Sequence, residues 1–231
     1  MLLFLDLETT GVEHTDKICS VGLVAKENEQ VVVLSDIVNE GKKIASQSSA
    51  IHHITNEMVV GKPSFCESQT YNFLQKHNKE ENFLVVHNAK FIVEKLASSG
   101  FLFKGEIIDT QRVTKHLIEE CELFSLQYLR YELQLYKSER SGIIAHDALS
   151  DAYVIMQLFE YLLELTGMEQ MQKLSFESVF LQKIDFGKYK GEYIEEIMMK
   201  DRGYLEWLLR KADDLDEDMR YSIERYLRGA L

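Results

Sequence analysis

The chain has 231 residues, of which 45% are hydrophobic, and this is enough for one large domain or for one domain with a small appendage. No apolar run approaches the roughly 20 residues that cross a bilayer, and the first residues lack the basic start of a signal peptide. The formal net charge of −12 excludes a protein that holds nucleic acid on a broad basic surface. This charge is compatible with an enzyme that binds the end of one nucleic-acid strand through metal ions and a few local contacts.

The three cysteines, Cys19, Cys66 and Cys121, are odd in number and far apart in the chain. Their spacing fits neither a disulfide framework nor a zinc site. Free thiols are typical of a reducing compartment. We therefore expect a cytoplasmic protein with no membrane partner.

The first part of the chain predicts an antiparallel meander of three strands. An apolar run at residues 1–5 leads into the sequence DLETTG, and two more apolar runs follow at 17–26 and 31–38. The polar residues between these two runs predict a hairpin with a four-residue loop. Residues 41–61 are more polar, and Asn56 is the expected N-cap of the next helix.

The following residues predict helices that alternate with short strands. The helices are expected at 63–77, 89–99, 110–119, 123–135 and 148–165, and the strands at 83–86 and 107–109. This alternation indicates an α/β domain over residues 1–167, in which a mixed five-stranded sheet is flanked by helices.

Residues 176–231 predict a small, mainly helical module beyond a weak boundary near 167–176. The sequence DFGKYKG at 185–191 indicates a glycine-bounded turn, and an amphipathic helix is expected at 215–227. Lys188, Tyr189 and Lys190 are interpreted as part of a solvated turn. The alternative is that these two cations and the aromatic ring between them bind a single nucleic-acid strand by charge and stacking. The module is marginal in size for independent folding.

Two carboxylates, Asp6 and Glu8, lie two residues apart where the first strand ends. Residues i and i+2 of a strand point to the same side, so these side chains converge. Burying them unpaired is costly, and Mg²⁺ or Mn²⁺ would offset their repulsion because these ions prefer oxygen ligands. On these two residues alone, a solvated strand end is an equally good interpretation.

A second acidic segment, HDALSDA, begins the helix at 148–165. Asp147 suits the N-cap position, which leaves His146 just outside the helix and places Asp151 in its first turns. A mobile histidine beside a fixed carboxylate suits a general base next to a metal ligand.

These segments, together with HNAKF at residues 87–91, resemble the three motifs of the DEDDh 3′-5′ exonucleases. That family has a ribonuclease H-like fold and includes epsilon-type proofreading subunits and ribonuclease T. The resemblance covers about residues 1–165. It implies a metal-dependent 3′-5′ exonuclease acting on 3′ ends of single-stranded or frayed DNA, or of RNA, with a DNA polymerase as a candidate partner.

The resemblance also implies the roles of individual residues. Two Mg²⁺ or Mn²⁺ ions would be held by Asp6, Glu8 and Asp151, and His146 would be the general base. The residues expected to lie against the terminal nucleotide are Thr9, Thr10, His52 and Asn88.

One position departs from the family pattern. The second motif normally reads His-Asn-x-x-Phe-Asp, whereas this chain has Ile92 in place of the aspartate. Isoleucine cannot bind a metal, so the second ion lacks a ligand. The carboxylates of Asp109 and Asp147 lie at element ends but suit helix caps better, and Lys95 suits a contact to phosphate.

Two functions therefore remain open. The first is an exonuclease whose activity is weakened at Ile92, and the intact pair of His146 and Asp151 favours it. The second is a nucleic-acid-binding or scaffold protein that retains the exonuclease fold without turnover, and Ile92 favours that alternative. The FGKYKG tail resembles a small module of unknown role, so it does not decide between them.

Overall fold

The computed structural model describes residues 1–138, 142–212 and 215–229. The chain forms two compact units, Met1–Ser175 and Phe176–Leu231. In the described parts of both units, no helix is long and apolar enough to cross a membrane.

A mixed five-stranded sheet forms the centre of the first unit. Its strands are β1 (Leu2–Thr9), β2 (Ile18–Glu27), β3 (Gln30–Ile37), β4 (Phe83–Val86) and β5 (Glu106–Asp109). They lie in the order β3-β2-β1-β4-β5. The first three strands pair antiparallel, whereas β1, β4 and β5 run parallel. The carboxyl ends of the parallel strands therefore meet at one edge, where ligands commonly bind in α/β sheets.

Seven helices accompany the sheet in the described part of the first unit. They are α1 (Ser46–His52), α2 (Gln69–Lys76), α3 (Ala89–Ser98), α4 (Thr110–Leu117), α5 (Leu126–Glu132), α6 (Ala148–Leu165) and α7 (Met168–Leu174). With the sheet, they give the predicted ribonuclease H-like architecture.

Strand β1 separates two apolar clusters because its side chains alternate between the faces of the sheet. Phe4 packs against Phe159 of α6, with ring centroids 5.4 Å apart. Leu5 and Leu7 belong to a second cluster, which also contains Ile92 of α3. Asp6 and Glu8 occupy the next alternate positions of β1 after Phe4. Their side chains therefore also point to the α6 side of the sheet.

Several predicted boundaries were wrong. The β2–β3 hairpin has a two-residue loop, because Glu27 pairs directly with Gln30 and Asn28 takes a left-handed φ of 53°, which asparagine tolerates. Asn56 caps no helix, since its side-chain amide binds both the N–H and the carbonyl of Ile44, at 2.8 and 3.1 Å.

Helix lengths also differ from the prediction. A 3₁₀ turn at Phe65–Glu67 precedes α2, which therefore begins at Gln69, and α5 has 7 residues. The sequence did not predict α1 or α7. Helix α7 belongs to the first unit because Met171 and Leu174 are buried in the same cluster as Phe159.

The second unit is mainly helical, as predicted, with α8 (Ile194–Lys211) and α9 (Glu217–Arg228). Its FGKYKG turn is anchored on a kink of α8. Lys188 Nζ and Tyr189 Oη both donate to Asp201 Oδ2, at 3.0 and 2.8 Å. Asp201 has non-helical angles, and its Oδ1 accepts from the N–H of Tyr204 at 3.3 Å. The cation and the aromatic ring of the turn thus have structural partners within the unit.

Candidate active site

Three carboxylates converge at the carboxyl end of β1. Asp6, Glu8 and Asp151 each offer an oxygen atom, and these atoms all lie within 4.8 Å of one another. Asp151 is buried, whereas Asp6 and Glu8 are half-buried. Within the ranges that the structure describes, no other set of three acidic, histidine or cysteine side chains comes this close.

The electrostatics of this cluster are unfavourable for three charged groups. Burial, followed by repulsion from Asp151, raises the pKa of Glu8 to about 8. The same two causes, with a further contribution from Glu8, raise the pKa of Asp6 well above its usual range. Burial also raises the pKa of Asp151 to about 7. A divalent cation bound among these oxygens would relieve both the repulsion and the loss of hydration.

A glycine brings α6 close to β1. Gly22 of β2 pairs directly with Asp6, and a methyl group on Gly22 would lie 2.2 Å from the backbone of Ala148 and Leu149. The first turn of α6 can pack here only because Gly22 lacks a side chain. This contact places Asp151 beside Asp6, a role for Gly22 that the sequence analysis missed.

Two N–H donors hold the Asp151 carboxylate. The backbone N–H of His146 donates to Oδ2 at 3.0 Å, and the side-chain amide of Gln127 donates to Oδ1. Gln127 lies 24 residues from Asp151 in the chain, and nothing in the sequence indicates this contact. His146 adopts a left-handed φ of 59°, which turns its N–H toward Asp151.

The His146 ring is exposed, and no ring nitrogen has a hydrogen-bond partner among residues 1–138, 142–212 and 215–229. Its backbone contacts Asp151, so the histidine lies at the border of the carboxylate cluster. An unengaged imidazole in this place is able to accept a proton from a water molecule near the cluster.

Ile92 does not take part in the cluster. Its side chain is 2% exposed and packs with Leu5 and Leu7. These leucines point away from Asp6 and Glu8 because they occupy alternate positions of β1.

Neither of the two spare carboxylates replaces the missing one. Asp109 accepts hydrogen bonds from the backbone N–H groups of Asn88, Ala89 and Gln111 at 3.1, 2.8 and 2.9 Å. Asp147 is the N-cap of α6 and accepts from the N–H of Ser150 at 3.4 Å. Both therefore act as helix caps, as the sequence predicts.

The predicted phosphate contact of Lys95 was wrong. This side chain is 1% exposed, and its ammonium donates to the carbonyls of Glu13 and Asp16. Lys95 therefore ties α3 to the loop that follows β1. It offers no charge to a bound strand.

The side chains expected near the nucleotide mostly have internal partners. Thr9 Oγ1 donates to the carbonyl of Gly11 at 2.7 Å, and Thr10 Oγ1 donates to Asp16 Oδ1 at 2.9 Å. Both nitrogens of His52 are engaged. Nδ1 accepts from the N–H of Ile54 at 3.1 Å, and Nε2 lies 3.2 Å from the Thr9 carbonyl.

His52 and Asn88 both have structural roles within the protein. Burial lowers the pKa of His52, so its ring is held neutral as a support for the end of β1. Asn88 is exposed and caps α3, as the sequence predicts. Contact between the terminal nucleotide and Thr9, Thr10, His52 or Asn88 stays a prediction.

Comparison with known protein families agrees with this geometry. Residues 3–159 match the family described as "Exonuclease". The chain belongs to the exonuclease family. Residues 184–213 of this exonuclease match a second family, described as "Exodeoxyribonuclease X-like C-terminal". The family resemblance carried by the three motifs is thus confirmed.

Relatives of this exonuclease cover its whole length. It is 28% identical to exodeoxyribonuclease 10 of Escherichia coli strain K12 over 232 aligned positions, which span 99% of this chain and 100% of the relative. It is 31% identical over 160 positions to DNA polymerase III subunit epsilon of Treponema pallidum, covering 67% of this chain and 72% of the relative.

A solved structure of exonuclease X in complex with 5′-overhanging duplex DNA is similar in fold. It superposes with a TM-score of 0.62 at 27% identity, covering 76% of this chain and 99% of the other. The predicted fold class is therefore confirmed.

Proposed function

We propose that this chain is a divalent-metal-dependent 3′-5′ exonuclease that releases nucleotides from 3′ ends of single-stranded or frayed DNA. The observation that carries the proposal is the convergence of Asp6, Glu8 and Asp151 within 4.8 Å, bordered by His146. The similarity to exodeoxyribonuclease 10 over the full length, and to an exonuclease bound to DNA, supports DNA as the substrate.

The donor set fits Mg²⁺ or Mn²⁺. Three carboxylate oxygens within 4.8 Å match the preference of these ions for hard oxygen ligands. When bound, such an ion supplies an activated water molecule and neutralises negative charge on the phosphate. Asp6, Glu8 and Asp151 would hold it.

The chain's own residues supply proton transfer and rigidity. The exposed imidazole of His146 accepts the proton of the attacking water. Attack of the water oxygen on phosphorus breaks the bond to the 3′ oxygen of the preceding nucleotide. That oxygen takes a proton from solvent and becomes the new 3′ hydroxyl, and a nucleotide with a 5′ phosphate leaves. Asp151 belongs to helix α6, and the hydrogen bonds from Gln127 and from the N–H of His146 keep its carboxylate in place during this step.

A second ion lacks a ligand in our proposal, because Ile92 lies in the apolar cluster of Leu5 and Leu7. Turnover is therefore slower than a full set of four carboxylates would allow. The same observation favours a second candidate function, a DNA-binding protein that retains the fold and has lost turnover.

Degradation of a 5′-labelled single-stranded oligonucleotide with Mn²⁺ separates these candidates. We expect the wild type to give a slow ladder that shortens from the 3′ end and Asp6→Ala to be inactive. Ile92→Leu keeps the apolar contacts of this position and should resemble the wild type. A wild type as fast as an exonuclease with four carboxylates contradicts the missing-ligand argument. If the folded wild type gives no ladder, the exonuclease proposal itself fails.

The proposal assigns catalysis to the first unit and an accessory role to the module at residues 176–231. All the proposed metal ligands and the proposed base lie in the first unit. A DNA polymerase partner rests on a single ground, the 31% identity to a DNA polymerase III subunit epsilon. Size-exclusion chromatography of the full chain mixed with a replicative polymerase subunit tests this partner, and separate elution would refute it.

A further inference from the structure

The Asp151 carboxylate is held from both sides by the protein. Its Oδ2 accepts from the backbone N–H of His146 at 3.0 Å, and its Oδ1 accepts from Nε2 of Gln127 in α5. Of these two donors, only Gln127 is a side chain. Among the residues that the structure describes, it is thus the hydrogen-bond donor to this carboxylate that a substitution can remove without changing the backbone of the site.

Arg130 fixes the direction in which Gln127 points. Arg130 lies one turn further along α5 and is 7% exposed. Its Nη1 donates to Oε1 of Gln127 at 3.1 Å. A guanidinium can only donate hydrogen bonds, so it selects the amide orientation in which Oε1 faces Arg130 and the NH₂ group faces Asp151.

This arrangement leaves Asp151 free to bind a metal. Each carboxylate oxygen can accept about two hydrogen bonds or metal contacts. Gln127 and His146 use one position on each oxygen, and the carboxylate still has an oxygen within 4.8 Å of those of Asp6 and Glu8. Donors of this kind, which orient a ligand from behind, commonly tune metal affinity.

We propose that Gln127 is a positioning residue of the metal site, which holds Asp151 in its ligating orientation and is itself oriented by Arg130. The inference rests on the proposed function, because it takes Asp151 to be a metal ligand. Gln127 acts through Asp151 and does not touch the substrate. Without Gln127, the Asp151 carboxylate keeps one hydrogen-bond donor and rotates more freely. Metal binding must then order this side chain, and the lost conformational entropy lowers the metal affinity.

Titration of the full-length protein with Mn²⁺, followed by electron paramagnetic resonance of the free ion, tests the role of Gln127. Gln127→Met keeps the length of the side chain and removes its donor. We expect this variant to bind Mn²⁺ roughly 10–100-fold more weakly than the wild type. Thermal unfolding in EDTA should stay close to that of the wild type. Gln75→Met is the matched control, since Gln75 is exposed on α2 and its side-chain amide donates to Tyr71 Oη, outside the carboxylate cluster.

The dependence of kcat and KM on Mn²⁺ concentration is a second measurement, and it separates a positioning role of Gln127 from a role in folding stability alone. At limiting Mn²⁺, kcat of Gln127→Met on single-stranded DNA should fall, while KM for the DNA stays unchanged and kcat recovers at saturating Mn²⁺. If Gln127→Met binds Mn²⁺ within about twofold of the wild type, the positioning role is overturned. Gln127→Ala serves as a second variant should Gln127→Met unfold in EDTA.

The binding data also separate this inference from the proposed function. If the wild type binds Mn²⁺ at Asp151 but never degrades DNA, the exonuclease proposal fails, and the Mn²⁺ affinities still decide the role of Gln127. If the folded wild type does not bind Mn²⁺, both proposals are overturned.

Discussion

At the residue scale, the three clustered carboxylates raise the free energy of the folded protein when no cation is bound. Burial raises the pKa of Asp6, Glu8 and Asp151, and repulsion from Asp151 raises the pKa of Asp6 and Glu8 further. Each group thus favours its neutral form in the folded protein more than in the unfolded chain. Deprotonation therefore opposes folding, and a bound divalent ion reverses this effect because it stabilises the charged form.

The pH dependence of stability follows from these shifts. The pKa of Glu8 rises from an ordinary value of 4.5 to about 8. Its contribution is most favourable below pH 4.5 and is lost as pH rises toward 8. In EDTA, Glu8→Gln should therefore unfold at a higher temperature than the wild type at pH 8, with little difference at pH 5. Thermal unfolding from pH 5 to 8 measures this, and parallel curves for the two proteins would contradict it.

Excess Mn²⁺ supplies the control for that experiment. The ion should raise the unfolding temperature of the wild type at pH 8 more than that of Glu8→Gln, because the variant has lost one ligand. A wild type that gains no stability from Mn²⁺ would contradict the metal site.

The residues of the site differ in how far the sequence predicts them. The pair Asp6 and Glu8 follows from the two-residue period of a strand, and His146 with Asp151 from helix capping. Gly22 and Gln127 carry no such signal, because their roles depend on contacts with residues that are distant in sequence. The family pattern indicates that Ile92 is an exception. Only the structure shows that its side chain packs in the apolar cluster.

At the element scale, the sequence predicted all five strands and the helices α2 to α6, but it did not predict α1 or α7. Helices α1 and α7 have 7 residues each, which is too few to show a helical period. Their N-cap residues are Ala45 and Gly167, which have no polar side chain to cap a helix and so do not mark its start. The role of Lys95 was also not predictable from sequence. Its charge predicts a contact to phosphate, whereas in the structure its side chain is buried and its ammonium donates to the Glu13 carbonyl.

Helix α7 makes a testable contribution to the first unit. Met171 and Leu174 are buried, and Ser175 Oγ accepts a hydrogen bond from the N–H of Asp109 at 2.9 Å. A fragment of residues 1–167 loses these contacts, whereas one of residues 1–175 keeps them. Burial of two large side chains contributes about 3–6 kcal/mol, so the shorter fragment should be much less stable.

Urea unfolding of the two fragments measures this difference, with the full-length chain as the reference. We expect fragment 1–175 to unfold cooperatively and fragment 1–167 to unfold at a clearly lower urea concentration. Equal midpoints would show that α7 is not part of the first unit's core. They would also favour a domain boundary at residue 167.

At the scale of the whole molecule, the net charge of −12 and the proposed use of DNA are compatible because the proposed contact is local. Broad electrostatic attraction to phosphate is absent from a chain of this charge. In the proposed function, DNA is therefore bound by the metal site and by groups near the carboxyl ends of the parallel strands. The compact unit Met1–Ser175 contains the complete proposed site, so we expect the chemistry to take place there.

The most direct test of the central claim is a crystal structure of the full chain soaked with Mn²⁺ and a nucleoside 5′-monophosphate, with anomalous scattering used to locate the ion. We expect one strong manganese peak in contact with Asp6, Glu8 and Asp151. The phosphate should bind this ion, and His146 should face it. A second, equally strong peak would contradict the argument from Ile92. A manganese ion bound elsewhere, or no peak among the three carboxylates, would contradict the metal site itself.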